Sequence, residues 1–140
     1  MKATTRWKGN KTFIMTNELG NELRMDASEA NGGEGSGVSP MESLLGGLAG
    51  CMGIDMNMIL RPYADKLEEL KFETVGHRNE EPPKFFKKIE TTVHVKGDIP
   101  ASRVWRAVSL SEEKYCSVAH SLKADLTFKV ILNGEEVERQ

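Results

Sequence analysis

Ser39 to Asp55 reads SPMESLLGGLAGCMGID, an apolar, glycine-rich run around which the rest of the chain must pack. Ser39-Pro40-Met41-Glu42 is a dense helix-start signal. The Ser39 hydroxyl can accept from the Glu42 backbone N–H while the Glu42 side chain reaches back to Ser39, a capping box. Pro40 falls at the first helical position, where its missing N–H costs nothing. The helix is expected to run to about Arg61, because Pro62 disfavours helical geometry at its predecessor. Four of these seventeen residues are glycine, and glycine costs roughly 1 kcal/mol against alanine inside a helix. Gly46, Gly50 and Gly53 are spaced four and three, so they share one face, with Ala49 beside them. Leu44, Leu45, Leu48 and Met52 supply apolar packing around that face. A helix apolar nearly all round is buried on every side. A bare glycine face admits another backbone closely, so the glycines mark contact with a second helix, a partner subunit or both. A 140-residue chain struggles to wrap such a helix alone, and an intimate homodimer is expected.

On the N-terminal side, KATTRWKG and TFIMTN alternate as strands across a turn at Gly9-Asn10. A second turn at 18–22 leads to a third strand at 23–27, completing an antiparallel meander. Residues 28–39, SEANGGEGSGVS, read as a long flexible loop, and long loops in compact domains are often functional. On the C-terminal side, YADKLEEL adds a short turn or helical piece. Strands follow at 71–80 and 87–97. The link EPPKFF is excluded from a central strand by its prolines. Pro100 starts another helix with Val104, Trp105 and Val108 on one face. A break is expected near Cys116, then a short helical turn, then a last strand at 124–132, which Asn133-Gly134 ends or turns back. The order β-β-β-α-β-β-α-β is α+β, in one domain spanning 1–140.

The 19 basic and 21 acidic residues leave a net charge of −2. That excludes a nucleic-acid footprint and a polybasic membrane patch. The most apolar stretch, Ser43 to Leu60, holds four glycines, Asp55 and Asn57, which a bilayer span tolerates poorly. The N-terminus lacks the apolar core of a signal peptide. These features predict a soluble, cytoplasmic protein, in which two cysteines are free thiols or a redox pair rather than a structural bridge.

Three readings of Cys51 and Cys116 stand side by side. They are small buried hydrophobes, or a redox pair with one cysteine on each of two helical segments, or a metal site completed by His120, four residues after Cys116. Cys51 lies too deep in its helix for the N-terminal dipole to activate it. Its ionisation then needs a nearby cation and hydrogen bonds to the thiolate.

SPMESLLGGLAGCMGID together with LSEEKYCSVAHSLKADLTFKV resembles the OsmC/Ohr family of thiol peroxidases, in particular its YhfA-like branch. The resemblance covers nearly the whole chain. It implies antiparallel sheets around a long buried central helix and an interlocked homodimer, with two central helices back to back and reactive sites at the subunit interface. It implies cofactor-free reduction of organic hydroperoxides, with Cys51 the peroxidatic thiol and Cys116 the resolving one, recycled by an external dithiol reductant. The alternative is a dimer of the same fold that holds a small apolar or thiol-reactive ligand without turnover.

In the family an arginine and a glutamate assist the thiolate, and the glutamate directly follows the helix-start proline. Met41 stands at that position here and Glu42 one residue later, about 100° further round the helix. Glu42 is the matching acid, and the capping box accounts for it equally well. Arg24 in the third strand is the matching cation, with Arg6 behind it and an exposed strand residue as its other reading. Tyr115, His120 and Met52 are the expected substrate contacts, and each is also readable as packing. No metal is expected to be required.

Overall fold

A computed structural model describes all residues, Met1–Gln140. The chain forms two compact units, Met1–Leu44 and Leu45–Gln140.

The first unit is a three-stranded antiparallel meander of β1 (Ala3–Trp7), β2 (Phe13–Asn17) and β3 (Glu22–Met25). Gly9 and Asn10 take positive φ at the first turn, as the sequence predicts there. The following segment is more ordered than its glycine content suggests. The Asp26 carboxylate, 2 % exposed, accepts from the backbone N–H groups of Ala27 (2.8 Å), Glu34 (3.2 Å) and Ser36 (3.0 Å) and from the Ser36 hydroxyl (2.7 Å). A Cβ at Gly33 would lie 2.0 Å from the Ala27 carbonyl oxygen, so only glycine permits this wrap. Ser36 above all holds the Asp26 pKa down, to about 2 from 3.8. A carboxyl whose pKa is lowered by folding contributes stability above its ordinary pKa and loses it as pH falls through the folded value. Acid is therefore expected to loosen this loop between pH 3.8 and about 2. Amide exchange at Glu34 and Ser36 should accelerate across that window, and in Asp26→Asn it should already be fast at neutral pH. Protection that survives in Asp26→Asn contradicts the account.

Helix α1 (Pro40–Ile59) crosses from the first unit into the second. Its start is the predicted capping box. The Ser39 N–H donates to Glu42 Oε1 at 2.8 Å, and the Glu42 N–H donates to Ser39 Oγ at 3.1 Å. The helix stops at Ile59, and a 3-10 turn over Arg61–Tyr63 follows. The next strand begins earlier than predicted. β4 (Leu67–Arg78) takes in LEEL, because long-range pairing with β5 (Phe86–Gly97) overrides its local helical preference. Gly97, at φ +147°, sits where a Cβ would lie 2.2 Å from the Lys66 carbonyl oxygen.

The second unit carries one four-stranded sheet in the order β4-β5-β6-β7, with β6 at Asp125–Leu132 and β7 at Glu135–Val137. The expectation of wholly antiparallel sheets is corrected here, because β5 and β6 run parallel from Lys88↔Asp125 to Val95↔Leu132. Parallel neighbours need a long crossover. Helix α2 (Ala101–Leu110), a π-helical turn (Ser111–Tyr115) and helix α3 (Ser117–Ser121) provide it. Asn133 and Gly134, both at positive φ, turn the chain back into β7.

The core of this unit joins Ile89, Val93 and Val95 of β5 and Val130 of β6 with Val104, Trp105 and Val108 of α2. Leu48, Met52 and Met56, spaced four apart on α1, are fully buried. Within the single chain, burial of α1 on all sides is not observed. Ile54 is 66 % and Met58 69 % exposed, and a Cβ at Gly46, Gly47 or Gly50 would meet nothing within 4 Å.

Candidate functional site

Cys51 lies on α1, one turn before Asp55. Cys116 lies where the π-helical turn gives way to α3. Its extended backbone (φ −72°, ψ 101°) makes it the N-cap of α3, and its Sγ accepts from the Ala119 N–H at 3.3 Å. The two sulfurs and a carboxylate oxygen of Asp55 all lie within 4.8 Å of one another. Both cysteines are free thiols; Cys51 is half-buried and Cys116 wholly buried.

A second tie closes the cluster. Ser111 is wholly buried, and its hydroxyl donates to Asp55 Oδ2 at 2.8 Å. The Ser111 carbonyl accepts the Cys116 N–H at 2.8 Å, so one residue positions both Asp55 and the backbone of Cys116. Burial pushes the Cys116 thiol up to about 11, against the pull of the Ala119 N–H, and the neighbouring Cys51 and Asp55 add to the rise. Cys116 is therefore a protonated thiol at neutral pH.

Asp55, Met58, Ile59 and Tyr115 line a cavity of about 340 Å³. Three of its four walls are apolar or aromatic, and the fourth is the carboxylate beside the sulfurs, an arrangement suited to a small ligand with an apolar body. Tyr115 is 50 % exposed.

The other residues singled out from sequence are placed differently. Met52 is wholly buried and serves the core, so it does not reach this cavity. The His120 ring nitrogen Nε2 sits 3.1 Å from the Glu112 carbonyl oxygen. His120 is not among the groups that converge with the two sulfurs, as the metal reading of Cys51, Cys116 and His120 expected; the third group there is Asp55. Glu42 is engaged in the α1 cap, and its hydrogen bonds with Ser39, the backbone one first, hold its carboxyl below the usual range. Arg24 Nε donates to Ser36 Oγ at 3.1 Å. Asp55 and Ser111 were not predicted. The one sequence signal for Asp55 is an acid one turn from a cysteine on an otherwise apolar helix; Ser111 carried none.

Known proteins agree with this architecture. Residues 33–131 match the family model described as OsmC-like protein. The chain is 36 % identical over 124 residues to Protein YhfA of Escherichia coli (strain K12), covering 88 % of this chain and 90 % of that protein. A hypothetical protein from Aquifex aeolicus VF5 superimposes with a TM-score of 0.82 at 28 % identity, covering 94 % of this chain and 95 % of that one. An organic hydroperoxide resistance protein, OsmC, from Legionella pneumophila shares the fold at a TM-score of 0.64 and 16 % identity, covering 94 % of this chain and 96 % of that one. With nine-tenths of YhfA matched and the family pattern running through both cysteine segments, this chain belongs to the OsmC/Ohr family.

Proposed function

We propose that the protein reduces organic hydroperoxides through the Cys51–Cys116 pair, as a homodimer recycled by an external dithiol. The observation that carries this reading is the convergence of two free sulfurs, one on α1 and one at the cap of α3, to within 4.8 Å. A structural role for either thiol alone does not require the other beside it. The relation in fold to a hydroperoxide resistance protein adds to it.

Cys116 stays protonated at neutral pH, so the half-buried Cys51 is the attacking sulfur. Its thiolate attacks the O–O bond of the hydroperoxide. The bond breaks, an alcohol leaves with a proton, and Cys51 becomes a sulfenic acid. The Cys116 sulfur then displaces the hydroxyl, which departs as water with the Cys116 proton, and a disulfide forms. A dithiol reopens it by two exchange steps. The cavity beside Asp55 receives the apolar part of the substrate. The second copy covers the face of α1 carrying Gly47, Gly50, Ile54 and Met58, where side chains are absent or exposed.

Stoichiometric cumene hydroperoxide is expected to convert the reduced protein to a form with no titratable thiol. Peptide mapping should return a single Cys51–Cys116 linkage within one chain. Linkage between chains, or thiols that persist after oxidant, contradicts the pair. The engagement of Glu42 in the α1 cap favours the second reading, a ligand-binding dimer without turnover. That reading predicts a bound small molecule in purified protein and no alcohol product under any dithiol.

A further inference from the structure

Three acidic groups converge in the second unit, and none of the chain's ion pairs includes Asp55. A carboxylate and two thiols brought together without a basic partner form a donor set of two soft sulfurs and one oxygen. The supporting hydrogen bonds of a ligand site are already in place. Ser111 Oγ holds one Asp55 oxygen, and the Ala119 N–H points at the Cys116 sulfur. Such outer contacts orient metal ligands and stabilise thiolates. Cys51 and Asp55 share one helix face at a spacing of four, which suits two ligands from one helix, while Cys116 closes from a separate element.

We propose that Cys51, Asp55 and Cys116 bind a soft divalent cation of the zinc or cadmium class, through two thiolates and one carboxylate oxygen, the cation displacing the proton that the Cys116 thiol otherwise keeps. Bonds of about 2.0–2.3 Å in a tetrahedral site put ligand atoms roughly 3.3–3.8 Å apart. A cluster spanning 4.8 Å closes on an ion with side-chain movement on the order of 1 Å. Three protein ligands leave a fourth tetrahedral position for water or a small ligand, and of the three donors Asp55 lines the cavity it shares with Tyr115. The same two sulfurs cannot hold a cation and form a disulfide, so the cation guards the thiols and their oxidation expels it. In that step two thiolates pass two electrons to a hydroperoxide, which takes up two protons and leaves as alcohol and water. This coupling rests on the hydroperoxide reading; the binding does not.

The test is a titration of cadmium into the reduced, tag-free chain, following the ultraviolet sulfur-to-cadmium charge-transfer band, with zinc as competitor. One equivalent per chain is expected, with both thiols withdrawn from titration. Cys51→Ser and Cys116→Ser should each lose most of the band. Asp55→Asn should weaken binding by at least about tenfold, and Ser111→Ala, which removes only the hydrogen bond to Asp55, by roughly tenfold. A band unchanged in either cysteine variant, or wild-type affinity in Asp55→Asn, overturns the site. Circular dichroism shows that each variant is folded before it is compared. Hydroperoxide consumption by metal-free wild-type protein is measured separately, so failure of the cation site and failure of the peroxidase reading are told apart.

Discussion

On the proposed peroxidase reading, Cys51→Ser is expected to abolish hydroperoxide reduction, leaving less than about a thousandth of the wild-type rate, a loss of roughly 4 kcal/mol of transition-state stabilisation or more. A serine hydroxyl does not ionise near neutral pH and has no sulfur to oxidise, so no sulfenic acid forms. Cys116 cannot take over, because burial keeps its thiol protonated. The change from sulfur to oxygen is nearly isosteric at a half-buried site, so the fold should persist and the loss should be chemical. Cys116→Ser should behave differently. Its first equivalent of hydroperoxide is consumed, Cys51 stops as sulfenic acid, and a dimedone adduct appears at that residue alone. The pair of variants thus separates attack from resolution. If Cys51→Ser turns over at the wild-type rate with a dithiol present, the assignment is wrong.

Trp105→Ala is expected to cost about 3–5 kcal/mol, a large share of the roughly 5–15 kcal/mol that stabilises a typical domain. The indole is 3 % exposed, and its Nε1 donates to the Val137 carbonyl at 2.9 Å. The Arg139 guanidinium lies over the ring at 4.5 Å, bonds Ser109 Oγ at 2.8 Å and pairs with Glu112 at 3.3 Å. One side chain therefore joins α2 to β7 and the residues after it. Truncation opens a cavity in the core and strands the Val137 carbonyl. Trp105→Phe keeps most of the apolar volume and should lose about 1 kcal/mol for the hydrogen bond. Urea unfolding of the three proteins checks the order. A loss below about 1 kcal/mol in the alanine variant would mean that the core tolerates the hole.

The helix start at Ser39 to Glu42, the turns at Gly9-Asn10 and Asn133-Gly134 and the break at Cys116 were all legible from the chain. Each depends on groups within about four residues, where a cap, a proline ring or a positive φ acts alone. The two cysteine segments carried the family resemblance, and the family itself follows. Three features were not legible for one common reason. LEEL joins β4, β5 and β6 run parallel, and the loop at 28–39 is ordered around Asp26. In each case a partner distant in the chain outweighs local preference, and nothing in a local window reports that partner.

The site divides along the same line. Which residues can do sulfur chemistry, and that each sits on or beside a helix, is readable along the chain. That Asp55 and Ser111 stand with them, and that His120 does not, follows from how distant segments pack. A turn of helix sets which side chains share a face, but the packing of α1 against the α2–α3 crossover sets which faces meet.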